Sequence, residues 1–256
     1  MSLKITSSED QRIAEALKLV EDVERIEFKL TVRDTERASA IEALDLDVLE
    51  AELRQVVFFD TPDLRLNRAG LVVRARRTRK GGDTTVKVRP VIVHTLPGKL
   101  RRSRNFSVEL DAMPGTLVTS GSLTEQIGND DVKDVLRGKR PIRKLFRSKQ
   151  RSFYDEHAPR ALELNTLVPF GPINVARMKF VPRKFKGREI AAELWFYPDG
   201  SRLLEISTKC AADDAFQVLT ECRALLARHG ISREGPQETK TRKALDYFSK
   251  LYARAS

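Results

Sequence analysis

Cysteine is scarce in this chain of 256 residues, which contains only Cys210 and Cys222. Two cysteines are too few for a disulfide framework, and their spacing does not match a zinc knuckle. The chain also lacks a long uncharged apolar run, and its first residues show no charged head followed by an apolar segment. We therefore expect a soluble, unsecreted protein of the reducing cytoplasm, with no membrane partner.

Histidine is also rare, and common catalytic motifs are missing. His94, His157 and His229 are isolated, and no His/Asp/Glu spacing resembles a zinc site. The sequence contains no Gly-x-x-x-x-Gly-Lys-Ser/Thr, His-Glu-x-x-His or Gly-x-Ser-x-Gly pattern. These absences argue against P-loop, zinc-protease and α/β-hydrolase chemistry.

Basic residues are abundant by comparison. Forty-seven Lys and Arg against 36 Asp and Glu give a formal charge of +11. Such an excess favours an anionic partner, which could be nucleic acid, a membrane surface or a phosphate compound. An ordinary basic surface is the alternative explanation.

The order of predicted elements indicates an α+β chain with helices at both ends. A helical extension over residues 1–22 contains a predicted helix at 8–21, and a second helix is predicted at 35–46 after the first strand. Residues 122–138 predict a further helix, for which a break near Gly128 stays open, and residues 144–154 predict a strand. Two helices are predicted within 211–256, at 213–230 and 238–253. The remaining predicted strands are 23–32, 54–61, 71–78, 84–90, 105–111, 174–180, 190–197 and 202–209.

The last predicted helix permits two interpretations. Its basic residues are typical of a nucleic-acid-binding helix, whereas Leu245, Phe248 and Leu251 form an apolar stripe that favours packing on the rest of the protein. We expect packing, and we expect nucleic acid as a partner only through a 5′ triphosphate.

Charged side chains alternate with apolar ones along most predicted strands. In residues 23–32, for example, Arg25, Glu27 and Lys29 alternate with three apolar residues. Successive side chains of a strand point to opposite faces, so each charged set shares one face. The other basic residues placed on these faces are Arg74, Arg76, Lys87, Arg89, Arg147, Lys149, Arg151, Arg177, Lys179 and Lys209.

Several charged strand faces together suggest a closed barrel with a charged interior. A solvated sheet explains any single strand, but a sheet of about eight strands tends to curl and close. If the apolar faces point outward toward helices, the charges line a tunnel. Arg and Lys around a tunnel suit an anion that carries several phosphates.

Carboxylates inside such a basic tunnel have two possible explanations. Carboxylates beside phosphates suit Mg²⁺ or Mn²⁺, which bridge the two groups, while salt bridges to the tunnel bases are the alternative. The candidate metal ligands are Glu27, Glu109, Asp111, Glu193 and Glu205.

Residues 58–77, "FFDTPDLRLNRAGLVVRARR", resemble the hallmark segment of the CYTH family, the triphosphate tunnel metalloenzymes. This family includes inorganic and thiamine triphosphatases and class IV adenylyl cyclases. Further matches are Glu27 and Lys29 in the first strand, Thr85, Lys87 and Arg89 in a Thr/Lys/Arg strand, and Glu205 and Lys209 in a closing strand.

The resemblance covers residues 23–210 and implies an eight-stranded antiparallel tunnel barrel flanked by helices. It implies that Glu27, Glu109, Asp111 and Glu205 bind divalent metal, with Glu27 and Lys29 as catalytic residues. It also implies phosphate binding by Lys29, Arg74, Arg76, Lys87, Arg89, Lys149 and Arg151. Two positions depart from the family pattern, because Arg25 and Ser207 stand where carboxylates are expected.

The sequence thus supports three functional hypotheses. The first is metal-dependent hydrolysis of inorganic triphosphate or a small organic triphosphate. The second is a non-catalytic module that binds polyphosphate or another polyanion, which the two departures favour. The third is adenylyl cyclase activity, which uses the same grip on a triphosphate but also needs a pocket for the base.

Overall fold

Nine strands dominate the computed structural model of the chain, which describes residues 19, 20, 23–182, 185, 187–235 and 237–255. The strands are β1 Arg25–Val32, β2 Glu52–Asp60, β3 Leu71–Thr78, β4 Gly82–Val88, β5 Phe106–Met113, β6 Thr116–Ile127, β7 Val168–Phe180, β8 Ile190–Phe196 and β9 Arg202–Ala211. The α-helices are α1 Arg37–Ala43, α2 Arg65–Arg68, α3 Gly98–Arg101, α4 Asp131–Leu136, α5 Ser148–His157, α6 Ala215–Arg228 and α7 Lys240–Ala255.

Several predicted helices can be compared directly with these bounds. The helix predicted at 35–46 is confirmed as the shorter α1, and the two C-terminal helices are confirmed as α6 and α7. The helix predicted at 8–21 lies outside the described residues, apart from residues 19 and 20, which are helical. No helix in the described part of the chain is long and apolar enough to cross a membrane.

The strands form one closed barrel in the order β1-β5-β6-β4-β3-β2-β7-β8-β9, with β9 paired to β1. The prediction of eight antiparallel strands is therefore wrong in two details, since the barrel has nine strands and β1 runs parallel to β5. The parallel pair places Glu27 opposite Asp111, and the antiparallel pair places Glu27 opposite Lys209. Closure thus brings three charged side chains from distant parts of the sequence together.

Strand β6 is the strand that the sequence analysis missed. The helix predicted over 122–138 is wrong up to Ile127, where the residues continue β6, and is confirmed only over the residues that form α4. Leu123 and Ile127 are both buried outside the barrel, while Ser122 and Thr124 face its interior. Residues four positions apart lie on the same face of a helix and also of a strand, so Leu123 and Ile127 did not distinguish the two structures.

The strand predicted over 144–154 is also wrong, because the chain forms helix α5 there. Gln150 is fully buried at the helix start and accepts a hydrogen bond from the Arg147 backbone N–H at 3.1 Å. Its amide donates to the carbonyl oxygens of Thr84 and Leu123 at 2.9 and 3.1 Å. These bonds fix α5 against the outside of β4 and β6, so its basic side chains do not enter the barrel.

The barrel interior has an apolar end that α7 fills. Leu245 and Phe248 of α7 are buried, whereas Leu251, the third residue of the predicted stripe, is exposed. Their cluster includes Phe58 and Trp195, which share strand faces with charged interior residues of β2 and β8, and whose rings stack at 6.4 Å between centroids. The C-terminal helix therefore closes one end of the interior and leaves a polar cavity at the other.

The hallmark segment forms a tight connection between β2 and β3. Buried Asp60 accepts three backbone hydrogen bonds, from Thr61, Leu66 and Asn67, at 2.7 to 3.0 Å. These bonds hold the single turn of α2. Gly70 then accepts a hydrogen bond from the Arg89 backbone N–H at 2.8 Å, which fixes the end of β4.

Replacing Gly70 with Ala tests this connection. Gly70 has a φ of +76°, and a Cβ there would lie 2.1 Å from the carbonyl oxygen of Arg89. We expect Gly70→Ala to lower the free energy of unfolding by roughly 3 kcal/mol or more, since a steric clash adds to left-handed strain. Urea denaturation followed by circular dichroism measures this loss.

Gly200→Ala is the matched control. Gly200 also has a positive φ, +81°, but a Cβ there meets nothing within 4 Å. This variant should lose only the backbone strain, about 1 to 2 kcal/mol. Equal losses for the two variants would contradict the proposed clash.

Candidate functional site

A cavity of about 420 Å³ occupies the polar end of the barrel interior. The carboxylates that line it are Glu27, Glu109, Asp111, Glu193 and Glu205, and the hydroxyl groups are those of Thr85, Ser107, Ser122, Thr124, Thr239 and Thr241. The basic side chains that line it are Lys29, Arg54, Arg74, Arg76, Lys87, Arg89, Arg177, Lys209 and Lys240. Basic groups outnumber carboxylates, so the cavity is suited to an anion.

Most of the predicted site residues meet in this cavity. All five predicted metal ligands line it, together with seven of the eleven predicted phosphate-binding residues, namely Lys29, Arg74, Arg76, Lys87, Arg89, Arg177 and Lys209. Four predicted residues do not line it. Arg147, Lys149 and Arg151 lie at or within α5 outside the barrel, because the strand predicted there is a helix. Lys179 pairs with Glu189 at 2.6 Å and is half exposed.

Two basic residues of the cavity, Arg54 and Lys240, were not predicted from the sequence. Arg54 is the third residue of β2, and the next residues on its face, Val56 and Phe58, are apolar, so the alternation of charges was absent. Lys240 comes from the first turn of α7, where no strand pattern exists.

Neither of the two departures from the family pattern, Arg25 and Ser207, lines this cavity. Exposed Arg25 nevertheless shares a strand face with Glu27. Ser207 likewise shares a strand face with Glu205.

Three of the carboxylates converge on one point. Oxygen atoms of Glu27, Glu109 and Asp111 all lie within 4.8 Å of one another, and we call these residues the carboxylate cluster. Hard oxygen donors at this spacing fit Mg²⁺ or Mn²⁺, and the cluster is able to hold one such ion.

Lysines surround the carboxylate cluster. The Lys29 Nζ atom lies 2.9 Å from Glu27 and 2.7 Å from Asp111, and the Lys87 Nζ atom lies 2.7 Å from Asp111. Lys209 pairs with Glu109 at 2.5 Å from a half-exposed position. The salt bridges considered as the alternative to metal binding are therefore present, and an ion would have to rearrange them.

Charge interactions set the protonation of these groups. Burial acts to raise the pKa of Asp111, but Lys29 and Lys87 outweigh it and lower that pKa well below its usual range. Burial acts to lower the pKa of Lys29, but the surrounding carboxylates raise it. Burial and repulsion from Lys29 lower the pKa of Lys87 to about 8. Burial acts to raise the pKa of Glu27, but Lys29 and Lys209 outweigh it and lower that pKa. Near neutral pH Glu27 and Asp111 are thus ionised and Lys29 carries its charge.

Arginines of β3 form a second side of the cavity. Arg76 donates from Nε to Asp83 at 2.7 Å, and Arg74 donates to the Thr85 hydroxyl at 3.2 Å. The buried Nε atom of Arg74 has no hydrogen-bond partner among the described residues. A buried donor without an acceptor is costly, so Arg74 is suited to an anionic ligand.

Glu193 and Glu205 form a separate carboxylate pair. They lie opposite each other on β8 and β9, and the Lys240 Nζ atom contacts both, at 2.8 Å from Glu205. Glu193 also lies 3.8 Å from Arg54 and 3.6 Å from Arg177. Burial acts to lower the pKa of Lys240, but the two carboxylates raise it, so this ammonium stays charged.

Removing the shared partner of two lysines tests the electrostatics of the cluster. In Asp111→Asn, the Lys29 and Lys87 ammoniums would face each other without a carboxylate between them. We expect the free energy of unfolding at neutral pH, without divalent ions, to fall by roughly 3 kcal/mol. The measurement is chemical denaturation, and Glu189→Gln, which removes one half-exposed pair with Lys179, is the control that should change stability little. A negligible loss in Asp111→Asn would show that the pairs do not stabilise the barrel.

Comparisons with known proteins bear on the fold. No family model and no curated protein matches the chain. A candidate adenylate cyclase from Bacillus halodurans has a similar structure, with a TM-score of 0.59, 15% identity, and coverage of 86% of this chain and 96% of that chain. The candidate adenylyl cyclase HpAC1 from Hippeastrum, which shows a dominant triphosphatase activity, has a TM-score of 0.59, 16% identity, and coverage of 86% and 95%.

These likenesses extend over most of both chains, although the identities are low. They agree with the closed barrel of this chain. The chain therefore has the CYTH-like tunnel fold.

Proposed function

We propose that this protein hydrolyses a triphosphate in a reaction that depends on Mg²⁺ or Mn²⁺, with inorganic triphosphate or a small organic triphosphate as substrate. The observation that carries the proposal is one enclosed cavity in which a carboxylate cluster lies beside an array of arginines and lysines. The triphosphatase activity of the structural neighbour HpAC1 supports the same reaction class. The cytoplasm is the proposed location.

The charge of the cavity matches this substrate. Nine basic side chains face five carboxylates, so a surplus of positive charge remains after every carboxylate is paired. A triphosphate brings several negative charges, and Arg and Lys in a poorly solvated cavity bind such charges strongly. The cavity of about 420 Å³ is also within the size range of small-molecule sites, roughly 300 to 1,000 Å³.

Each side of the cavity has a proposed role. The carboxylate cluster would hold the divalent ion, which when bound neutralises phosphate oxygens and lowers the pKa of water. Arg74, Arg76 and Arg89 would bind the phosphates and stabilise the charge that develops on the leaving phosphate. Glu27, which is ionised, would accept a hydrogen bond from the attacking water, and Lys29 would keep Glu27 and Asp111 in place.

A matched pair of variants tests the location of the phosphate site. Arg74→Ala removes a cavity arginine whose Nε has no partner among the residues that the structure describes, and we expect kcat/KM for tripolyphosphate to fall about 100-fold. Lys149→Ala removes an exposed basic residue from the outer helix α5, and it should leave kcat/KM unchanged. Phosphate release with Mg²⁺ or Mn²⁺ measures both values. Equal effects of the two variants would place the phosphate site outside the cavity.

Replacing a cluster residue tests the chemistry rather than the binding. We expect Glu27→Gln to lower kcat by about 100-fold and to change KM little, because the amide keeps the shape but loses the charge.

Chelation of divalent ions should abolish turnover of the wild type, and added Mn²⁺ should restore it. Turnover that persists in chelator would contradict the proposed metal dependence.

A non-catalytic polyanion-binding module is the second candidate. It is favoured by the lysines that already pair with every member of the carboxylate cluster, since these pairs fill the metal position without an ion. Calorimetry with tripolyphosphate in chelator distinguishes it. Tight, metal-independent binding without any phosphate release would establish this candidate in place of the hydrolase.

Adenylyl cyclase activity is the third candidate, because two structural neighbours are candidate adenylyl cyclases. An adenylyl cyclase would bind the triphosphate of ATP with the same basic residues, and it would also need a pocket for the adenine base. Chromatographic detection of cyclic AMP formed from ATP would identify this activity, while release of phosphate from ATP without cyclic AMP would favour the hydrolase.

A further inference from the structure

The interior contains two groups of carboxylates that differ in their balance of charge. The carboxylate cluster has three carboxylates within reach of three lysines, Lys29, Lys87 and Lys209. The pair of Glu193 and Glu205 has only two carboxylates, with Lys240, Arg54 and Arg177 beside them. The first group is therefore balanced, and the second carries an excess of positive charge.

Lys240 occupies a central position in the second group. Its ammonium contacts both carboxylates, and Glu205 is almost fully buried, with a side-chain exposure of 2%. Two like charges opposite each other on neighbouring strands destabilise a sheet unless a cation lies between them. Lys240 supplies that cation, and it does so from a helix rather than from the barrel wall.

Contacts of the C-terminal segment hold Lys240 in place. The Tyr197 hydroxyl donates to the Lys240 carbonyl oxygen at 3.1 Å, and the Thr31 hydroxyl donates to the Glu238 carbonyl oxygen at 2.9 Å. The Lys240 Nζ atom also lies 5.5 Å from the centre of the Trp195 ring. Further along α7, Leu245 and Phe248 are buried in the apolar end of the barrel. The ammonium is thus fixed by the same contacts that dock the helix.

We propose that Lys240 is the resident cation of Glu193 and Glu205, so that the protein binds one divalent ion, at the carboxylate cluster, and not a second. The proposal rests on the proposed function only for its use of that cluster. With Lys240 in place, two carboxylates already have three cations beside them, so a divalent ion would enter a group whose net charge is positive. The carboxylate cluster has no such excess, because its three carboxylates face three lysines. The C-terminal helix would therefore supply, as a fixed positive charge, what a second ion would otherwise provide beside the substrate.

Binding of Mn²⁺ to the substrate-free, full-length protein tests this proposal without any measurement of activity. Electron paramagnetic resonance of free Mn²⁺ gives the number of bound ions and their affinities. We expect one Mn²⁺ per wild-type chain. In Lys240→Ala the pair would keep two carboxylates beside two arginines, a balanced group, so we expect a second Mn²⁺ with at least tenfold weaker affinity than the first.

Two further variants serve as controls. Lys243→Ala removes a lysine one turn along α7, whose Nζ atom lies 3.4 Å from the Arg202 carbonyl oxygen and does not line the cavity, so it should still bind one ion. Lys240→Arg keeps a cation between the carboxylates and should also bind one ion. Circular dichroism establishes that each variant is folded.

The outcomes separate this proposal from the proposed function. Two ions in the wild type or in Lys240→Arg would overturn it, as would a folded Lys240→Ala that binds only one. If Lys240→Ala does not fold, Lys240→Gln, whose amide still donates to a carboxylate, takes its place with the same expectation. A wild type that binds one ion but releases no phosphate from tripolyphosphate would contradict the hydrolase and leave the role of Lys240 supported.

Discussion

Buried carboxylates require cations, and this requirement governs the interior of the barrel. A carboxylate removed from water loses several kcal/mol of hydration, which only a close and well-oriented partner restores. Each carboxylate that lines the cavity accordingly has an ammonium or guanidinium nearby. Because the basic residues are in excess, the cavity as a whole keeps a positive charge that no side chain in its lining neutralises. An anion with several charges is the ligand that such a cavity favours.

The C-terminal helix divides the interior into two environments. Its apolar residues fill one end together with aromatic side chains from β2, β7 and β8, while its first turn contributes Lys240 to the charged end. Helix α7 thus fills one end of the barrel interior and supplies one of the charges of the cavity. Docking of the helix and the electrostatics of the cavity are therefore linked, because the same backbone segment determines both.

The fold by itself leaves the chemistry open, since one architecture supports several reactions. The proposed phosphate chemistry rests on the side chains, above all on the convergence of Glu27, Glu109 and Asp111 in the cavity that Arg74 also lines. The Nε atom of Arg74 has no partner within the described part of the chain. The lysines that pair with the cluster are compatible with a site that exchanges one set of cations for another when metal and substrate bind. In a hydrolase, the replacement of lysines by metal would also orient a water molecule for attack on phosphorus. In a simple binding protein it would not.

The alternation of charged and apolar residues determined which strand faces point inward, because side chains of a strand point to opposite faces whatever the strand's neighbours are. All five predicted carboxylates and seven predicted basic residues consequently line the cavity. Alternation gave the wrong structure over 144–154, where three basic residues take every second position but the chain forms α5. Over 122–127 the spacing of the apolar residues fitted a helix as well as a strand, and long-range pairing selected the strand. Only the tertiary structure decided that β1 pairs with β5, which brings Glu27 to Asp111, and that Lys240 enters from a helix. Strand order and helix docking depend on contacts between residues far apart in the chain, and no local pattern encodes them.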